Sequence, residues 1–120
     1  MVWEHLTKPE LLEQWLGKMD FKLIVGHKFQ IIGKQGSLID CQVQEVKPYT
    51  LLSYLWQKKS IKDGKPFNST VVWTLIEKED GTELHLVHDG FTSSEDHTEH
   101  NNGWILLGNR LIELLKTTTK

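Results

Sequence analysis

The end of the chain carries a pairing that few folds can use. A strand-like run, Gly81-Thr82-Glu83-Leu84-His85-Leu86-Val87-His88-Asp89-Gly90-Phe91, is followed by a short polar gap and then a long helix opening on His100-Asn101-Asn102-Gly103-Trp104. Period-two alternation puts Leu84, Leu86 and His88 on one face of the strand and turns Glu83 and His85 to solvent. At about 100° per residue, the helix gathers Trp104, Leu107, Gly108, Leu111, Ile112, Leu114 and Leu115 into one wide stripe, with Asn109, Arg110, Glu113 and Lys116 opposite. His100 lies one turn before Trp104 on that same apolar face, where a histidine is unusual because a buried imidazole needs partners. Gly108, in mid-stripe, either lets the helix approach the sheet or leaves a void.

Upstream, short strands alternate with Gly, Pro and Asp-Gly turns. Phe21–Val25 and His27–Ile32 flank Gly26, Leu38–Val46 follows Gly33 and Gly36, and Thr50–Gln57 follows Pro48. Ser69–Glu77 follows Asp63-Gly64, and Thr82–Phe91 follows Asp80-Gly81. Such spacing predicts antiparallel hairpins, not parallel crossovers. Alternation places Val71, Trp73 and Leu75 on one strand face and turns Thr74 away. Val2–Leu6 reads as a short helix. Thr7-Lys8-Pro9-Glu10 reads as a capping box that opens a second one, with Leu6 and Leu11 placed as a staple. Leu11, Leu12, Trp15 and Leu16 share a face there, and Gly17 can end the helix in a left-handed turn. This second helix is short, acidic and without Arg, which excludes a DNA-reading helix-turn-helix.

Composition narrows the function classes. The 120 residues make one domain, 1–120, with room for one core or one ligand cavity. Net charge is -2 and the 14 basic residues are scattered, so no nucleic-acid partner is expected. No apolar run has membrane-spanning length, and the opening Met-Val-Trp-Glu-His-Leu is not a signal peptide. The single cysteine, Cys41, excludes an internal disulfide, sits mid-strand as a buried inert thiol, and makes a reducing cytoplasm the simplest compartment.

Several of these pieces match a known family in order and spacing. They are a helix pair ending in Glu13-Gln14-Trp15-Leu16, a strand meander, Gly81-Thr-x-Leu-x-Leu-x-His-x-Gly-Phe91, and His100-x-x-Gly-Trp104 opening the last helix. Together they resemble the START-like, helix-grip (SRPBCC) superfamily. Within it, the chain resembles the domain related to the C-terminal part of the activator of the Hsp90 ATPase. The match runs from Trp3 to about Leu115. The resemblance implies an α+β fold: a curved antiparallel sheet wrapped around the long C-terminal helix, a short N-terminal helix pair at one end, and a cavity between sheet and helix. One departure is that the family's first strand, which should precede Val2 and help close the sheet, is absent. Its absence leads one to expect missing preceding residues, or else a grip that is open or completed by another chain.

The superfamily holds lipid and hormone binders, aromatase/cyclases and co-chaperones, so fold does not choose a function. The expected one is binding of a small hydrophobic or amphipathic molecule in the cavity, lined by Trp15, Phe29, Trp73, His88, Phe91, His100, Trp104 and Leu107. Large apolar side chains would supply affinity and the two histidines orientation. The competing reading is structural: Trp104 is core, and each histidine donates to a backbone carbonyl or to the other. A cyclase-like enzyme would use His88 or His100 with Tyr54 or Asp89 nearby, but no activated nucleophile, phosphate loop or carboxylate pair is present. No cofactor is called for. His97-x-x-His100 with His88 and Asp89 lacks the ligand density of a metal site, since Thr92–Asp96 reads as loop, and none is assigned. Glu95, Asp96 and Glu99 complement the dipole at the helix start. A chaperone partner follows only from the resemblance, and a homodimer from the strand edges that the missing first strand would leave unpaired.

Overall fold

The structure is a computed structural model that describes residues 2–17, 19–32, 38–59, 63–79, 81–91 and 93–118, with side chains to 115. The turn residues Gly33, Gly36 and Asp80, the gap residue Thr92 and the Lys116 side chain lie outside the described residues. Two short helices, α1 (Val2–Thr7) and α2 (Pro9–Trp15), precede strands β1 (Lys28–Ile32), β2 (Leu38–Lys47), β3 (Leu51–Lys59), β4 (Pro66–Lys78) and β5 (Gly81–Asp89). Helix α3 (Ser94–Thr118) ends the chain. Among the described residues the strands form one antiparallel meander in the order β1-β2-β3-β4-β5. A register shift between Val43 and Glu45 on β2 lets two residues face one on β3, the local device that adds twist to a sheet. The sheet curves around α3 in the helix-grip arrangement that the resemblance implies.

Alternation does what period two requires. Ile39, Cys41 and Val43 of β2, Leu52, Tyr54 and Trp56 of β3, and Val71, Trp73 and Leu75 of β4 are all buried on the inner face. Trp15 joins the helix pair to this core: its indole N–H donates to the His5 carbonyl at 2.8 Å, and its ring meets Trp73 edge-on at 6.0 Å. From α3, Leu111 is buried, while Trp104, Leu107, Leu114 and Leu115 are partly buried against the cluster.

The structure corrects four local expectations. Phe21–Val25 is not a strand: it runs through bends and a turn, with Ile24 N–H bonded to the Lys22 carbonyl and His27 N–H to the Ile24 carbonyl. Only Phe21 of that run is buried, edge-on to Phe29 at 5.0 Å, while Leu23, Ile24 and Val25 are exposed. Thr7 does not cap α2. It closes α1, its hydroxyl donating to the Trp3 carbonyl at 2.9 Å, and Lys8 takes the capping position without a side-chain bond. Pro9 does open α2.

Helix α3 begins at Ser94, so Ser94–Asp96 is helical, not loop. Its cap is Ser93, whose hydroxyl accepts from the Asp96 N–H at 3.2 Å and donates to Asp96 Oδ2 at 2.5 Å. Ile112, at the margin of the stripe, is 51% exposed because the sheet covers only the Trp104–Leu111–Leu115 side of the helix. Around Gly108 an added Cβ would meet nothing within 4 Å, so of its two readings the open-space one holds.

Candidate functional site

Five rings, from three elements and the β5–α3 connection, converge where α3 starts. Trp56 (β3), His88 (β5), Phe91, and His100 and Trp104 (α3) pack with centroid separations from 4.5 Å for His88–Phe91 to 6.1 Å for Trp56–His100. Gly90 makes this possible. At φ +103 it takes a conformation that L side chains avoid, and a Cβ there would sit 3.0 Å from Ser69 Cα. The chain thus turns tightly over β4, setting His88 and Phe91 beside the first turns of α3.

An indole N–H can only donate, and that fixes the hydrogen-bond roles within the cluster. Trp104 Nε1 donates to His88 Nδ1 at 2.9 Å, so the proton of neutral His88 sits on Nε2 and faces Ser69 Oγ at 2.7 Å. Ser69 in turn donates to the Trp56 carbonyl at 3.0 Å. Trp56 Nε1 donates to His100 Nε2 at 3.2 Å, and His100 Nδ1 donates to the Asp96 carbonyl at 2.8 Å. One relay therefore ties α3 to β3, β4 and β5, and all four imidazole nitrogens have protein partners.

Burial holds both rings neutral. His88 is pushed down to about 3, mainly by desolvation and further by His100 and His97 nearby. His100 is lowered as well, by burial first; the Asp96 carbonyl bond opposes this and Lys58 adds to it. Tyr54 bonds to neither histidine. Its hydroxyl accepts from Trp73 Nε1 at 2.9 Å, and burial raises its phenol above the ordinary value. Asp89 is exposed at the end of β5. Burial, with Asp40 beside it, also raises the Cys41 thiol, as expected of an inert core cysteine.

Beside this cluster runs a cleft of about 490 Å³ between one flank of α3 and the β1–β3 side of the sheet. Its floor is Ile31, Ile32 and Ile39, its far wall Gly103, Trp104, Leu106 and Leu107, and Leu16 closes it toward α2. Trp56 and His100 border one end, where Lys58 Nζ lies 3.6 Å from Glu99 Oε2. Arg110 stands at the rim. A shallower hollow of about 640 Å³ on the outer face of the sheet is bordered by Lys28, Gln30, Asp40, Gln42, Gln57 and Asn68. Phe29, Cys41 and Leu55 also line it, and, lying open to solvent, it suits water better than an apolar ligand.

Of the eight residues expected to line the cavity between sheet and helix, His100, Trp104 and Leu107 border this cleft. His88 and Phe91 back the aromatic cluster, Trp15 and Trp73 fill the core behind Trp104, and Phe29 packs against Phe21 and Tyr54. The cleft also uses Ile31, Ile39, Trp56 and Lys58. Ile31 shares the parity of Phe29, and Trp56 that of Leu52 and Tyr54, so alternation could have found both. Arg110, read as opposite the stripe, borders the cleft because the cleft opens along the flank of α3, not beneath it.

The family model described as Activator of Hsp90 ATPase homolog 1-like protein matches residues 1–116. Comparison with curated proteins gives no match. Among solved structures, protein MLL2253 from Mesorhizobium loti is 35% identical over 99% of this chain and 89% of its own, with a TM-score of 0.91. CalU16 from Micromonospora echinospora is 29% identical over 92% of this chain and 62% of its own, with a TM-score of 0.76. The Aha1 dimer from Colwellia psychrerythraea, 17% identical over 92% of this chain and 81% of its own, shares the fold at a TM-score of 0.72. With the sheet, the gripped helix and a match along nearly the whole length in agreement, the chain belongs to the Activator of Hsp90 ATPase homolog 1-like family, within the START-like, helix-grip superfamily.

Proposed function

We propose that the protein binds a small hydrophobic or amphipathic molecule in the cleft between α3 and the β1–β3 side of the sheet. The observation that supports this best is the absence of a side chain where the helix faces the cleft. Gly103 borders it, and a Cβ there would meet nothing within 4 Å. A helix interior is a costly place for glycine, by about 1 kcal/mol relative to alanine, so an unfilled position beside an apolar hollow is what a binding cleft needs. The volume falls within the range of small-molecule sites, and Ile31, Ile39, Trp104 and Leu107 supply apolar walls. Affinity would come from burial, at about 0.8 kcal/mol per methylene removed from water.

Turnover by a cyclase-like route is the weaker reading. A general acid or base must reach its substrate with a free nitrogen, and those of His88 and His100 are engaged by Trp104, Ser69, Trp56 and the Asp96 carbonyl.

Gly103→Leu tests the binding reading, because its two effects have opposite signs. A leucine side chain fills the cleft while improving helix propensity. The neutral fluorophore phenylnaphthylamine should bind the natural protein saturably and the variant at least tenfold more weakly. The variant's melting temperature should stay equal or rise. Undiminished binding by a folded Gly103→Leu protein would remove the cleft from consideration.

A further inference from the structure

The charges around the cleft specify its ligand further than its volume does. Three charged side chains border it: Lys58, Glu99 and Arg110. Lys58 and Glu99 pair at 3.6 Å, with the Lys58 side chain only 14% exposed, so at that end the charges cancel. Arg110 has no acidic partner among the described residues. The two ends are far apart, since Glu99 and Arg110 are 11 positions apart on α3, about 16 Å at 1.5 Å per residue. Between them the walls are apolar. The ring N–H groups at the inner end are consumed, Trp56 Nε1 by His100 and His100 Nδ1 by the Asp96 carbonyl, so neither ring offers a donor to a ligand.

From this asymmetry we propose that the cleft's ligand is an elongated anionic amphiphile. Its carboxylate or similar acidic head lies against the Arg110 guanidinium, and its apolar body runs along Ile31, Ile39, Trp104 and Leu107 toward Trp56. The inference rests on the binding reading above and adds the polarity and direction of the ligand. A guanidinium can meet a carboxylate with two parallel N–H bonds. Its position at the rim leaves the head hydrated, so only the tail is desolvated. A cationic head would face Arg110 unshielded. A neutral one would forgo the only uncompensated charge at the cleft among the described residues.

The test uses the full chain and three probes with one tail and different heads: decanoate, decanol and decylamine. Each displaces bound phenylnaphthylamine at low salt and again at high salt. Decanoate should bind at least tenfold more tightly than decanol, and decylamine most weakly. The decanoate advantage should shrink as salt rises, because a rim charge is screened. Arg110→Gln should bring decanoate down to the decanol level and leave decanol unchanged; the position is exposed, and circular dichroism checks that the variant is folded.

Equal binding of decanoate and decanol by the natural protein overturns the anionic assignment while leaving the cleft intact. Loss of the decanoate advantage on Lys58→Gln instead of Arg110→Gln overturns the direction of the ligand. If no probe binds and phenylnaphthylamine fails too, the binding reading itself falls, and this inference with it.

Discussion

Acidification should weaken this fold well before its carboxylates titrate. His88 is held down to about 3 against an ordinary value of 6.5. Between those limits the unfolded chain takes up a proton that the native ring refuses, so native stability is complete above about pH 6.5 and declines as pH falls toward 3. The slope for one fully refused proton is about 1.4 kcal/mol per pH unit. Over the whole window that is a ceiling of about 4–5 kcal/mol, and water reaching the half-buried ring lowers it to about 2–3 kcal/mol. His100 shifts in the same direction and steepens the same slope.

Burial is the main cause, and the hydrogen-bond geometry works in the same direction, donor against donor. A proton on His88 Nδ1 would face the Trp104 indole N–H, and one on His100 Nε2 would face that of Trp56. The groups around the pair do not reverse this: Lys58 and His97 disfavour the extra charge, while Glu99 and Asp96 favour it for His100 only. Urea unfolding at pH 7.5, 6.5, 5.5 and 5.0, above the range where carboxylates protonate, should show the midpoint falling at constant m-value. His88→Leu should flatten part of that decline even though the variant starts less stable. A midpoint that does not move between pH 7.5 and 5.0 would refute the claim that burial within this relay holds the rings neutral.

Three substitutions probe the same architecture. Gly90→Ala forces a Cβ into a φ of +103 and against Ser69, and should cost about 2–3 kcal/mol in chemical denaturation. Gly108→Ala, with nothing near the new methyl, should raise stability by about 0.5–1 kcal/mol, measured the same way; a loss would mean that the helix face is closer to the sheet than described. His100→Leu leaves the Trp56 N–H without its acceptor and should cost about 1–3 kcal/mol. Because neither His100 nitrogen is free for a ligand, phenylnaphthylamine affinity of the folded variant should change by less than about threefold; a larger loss in a fluorescence titration would restore His100 as an orienting group.

Much of the fold is legible because it rests on local periodicity. Two-residue alternation finds the inward faces of β4 and β5 and, carried upstream, would give those of β2 and β3; the helical stripe finds Trp104, Leu107 and Leu111. The misreadings occur where non-local competition decides. Phe21–Val25 has strand-forming residues, but β1 occupies the edge of β2 and Gly26 and His27 anchor the preceding loop to Val43, so the run has no partner to pair with. Thr7 carries a capping side chain, yet the Trp3 carbonyl one turn back competes for its hydroxyl and wins. Ser93 and Asp96 had the spacing of a cap, hidden among the hydroxyl and acidic residues of 92–96. The histidines show the same limit more sharply. Sequence places His88 and His100 inside, but only the turn at Gly90 decides that Trp104 and Trp56 reach them first. The inward polar residue Ser69, on the parity of Val71 and Trp73, was the readable clue that this interior completes its own hydrogen bonds. A cluster so satisfied is better suited to fixing the wall of a cleft than to doing chemistry inside it, and the polarity of the ligand then falls to the rim, where Arg110 stands.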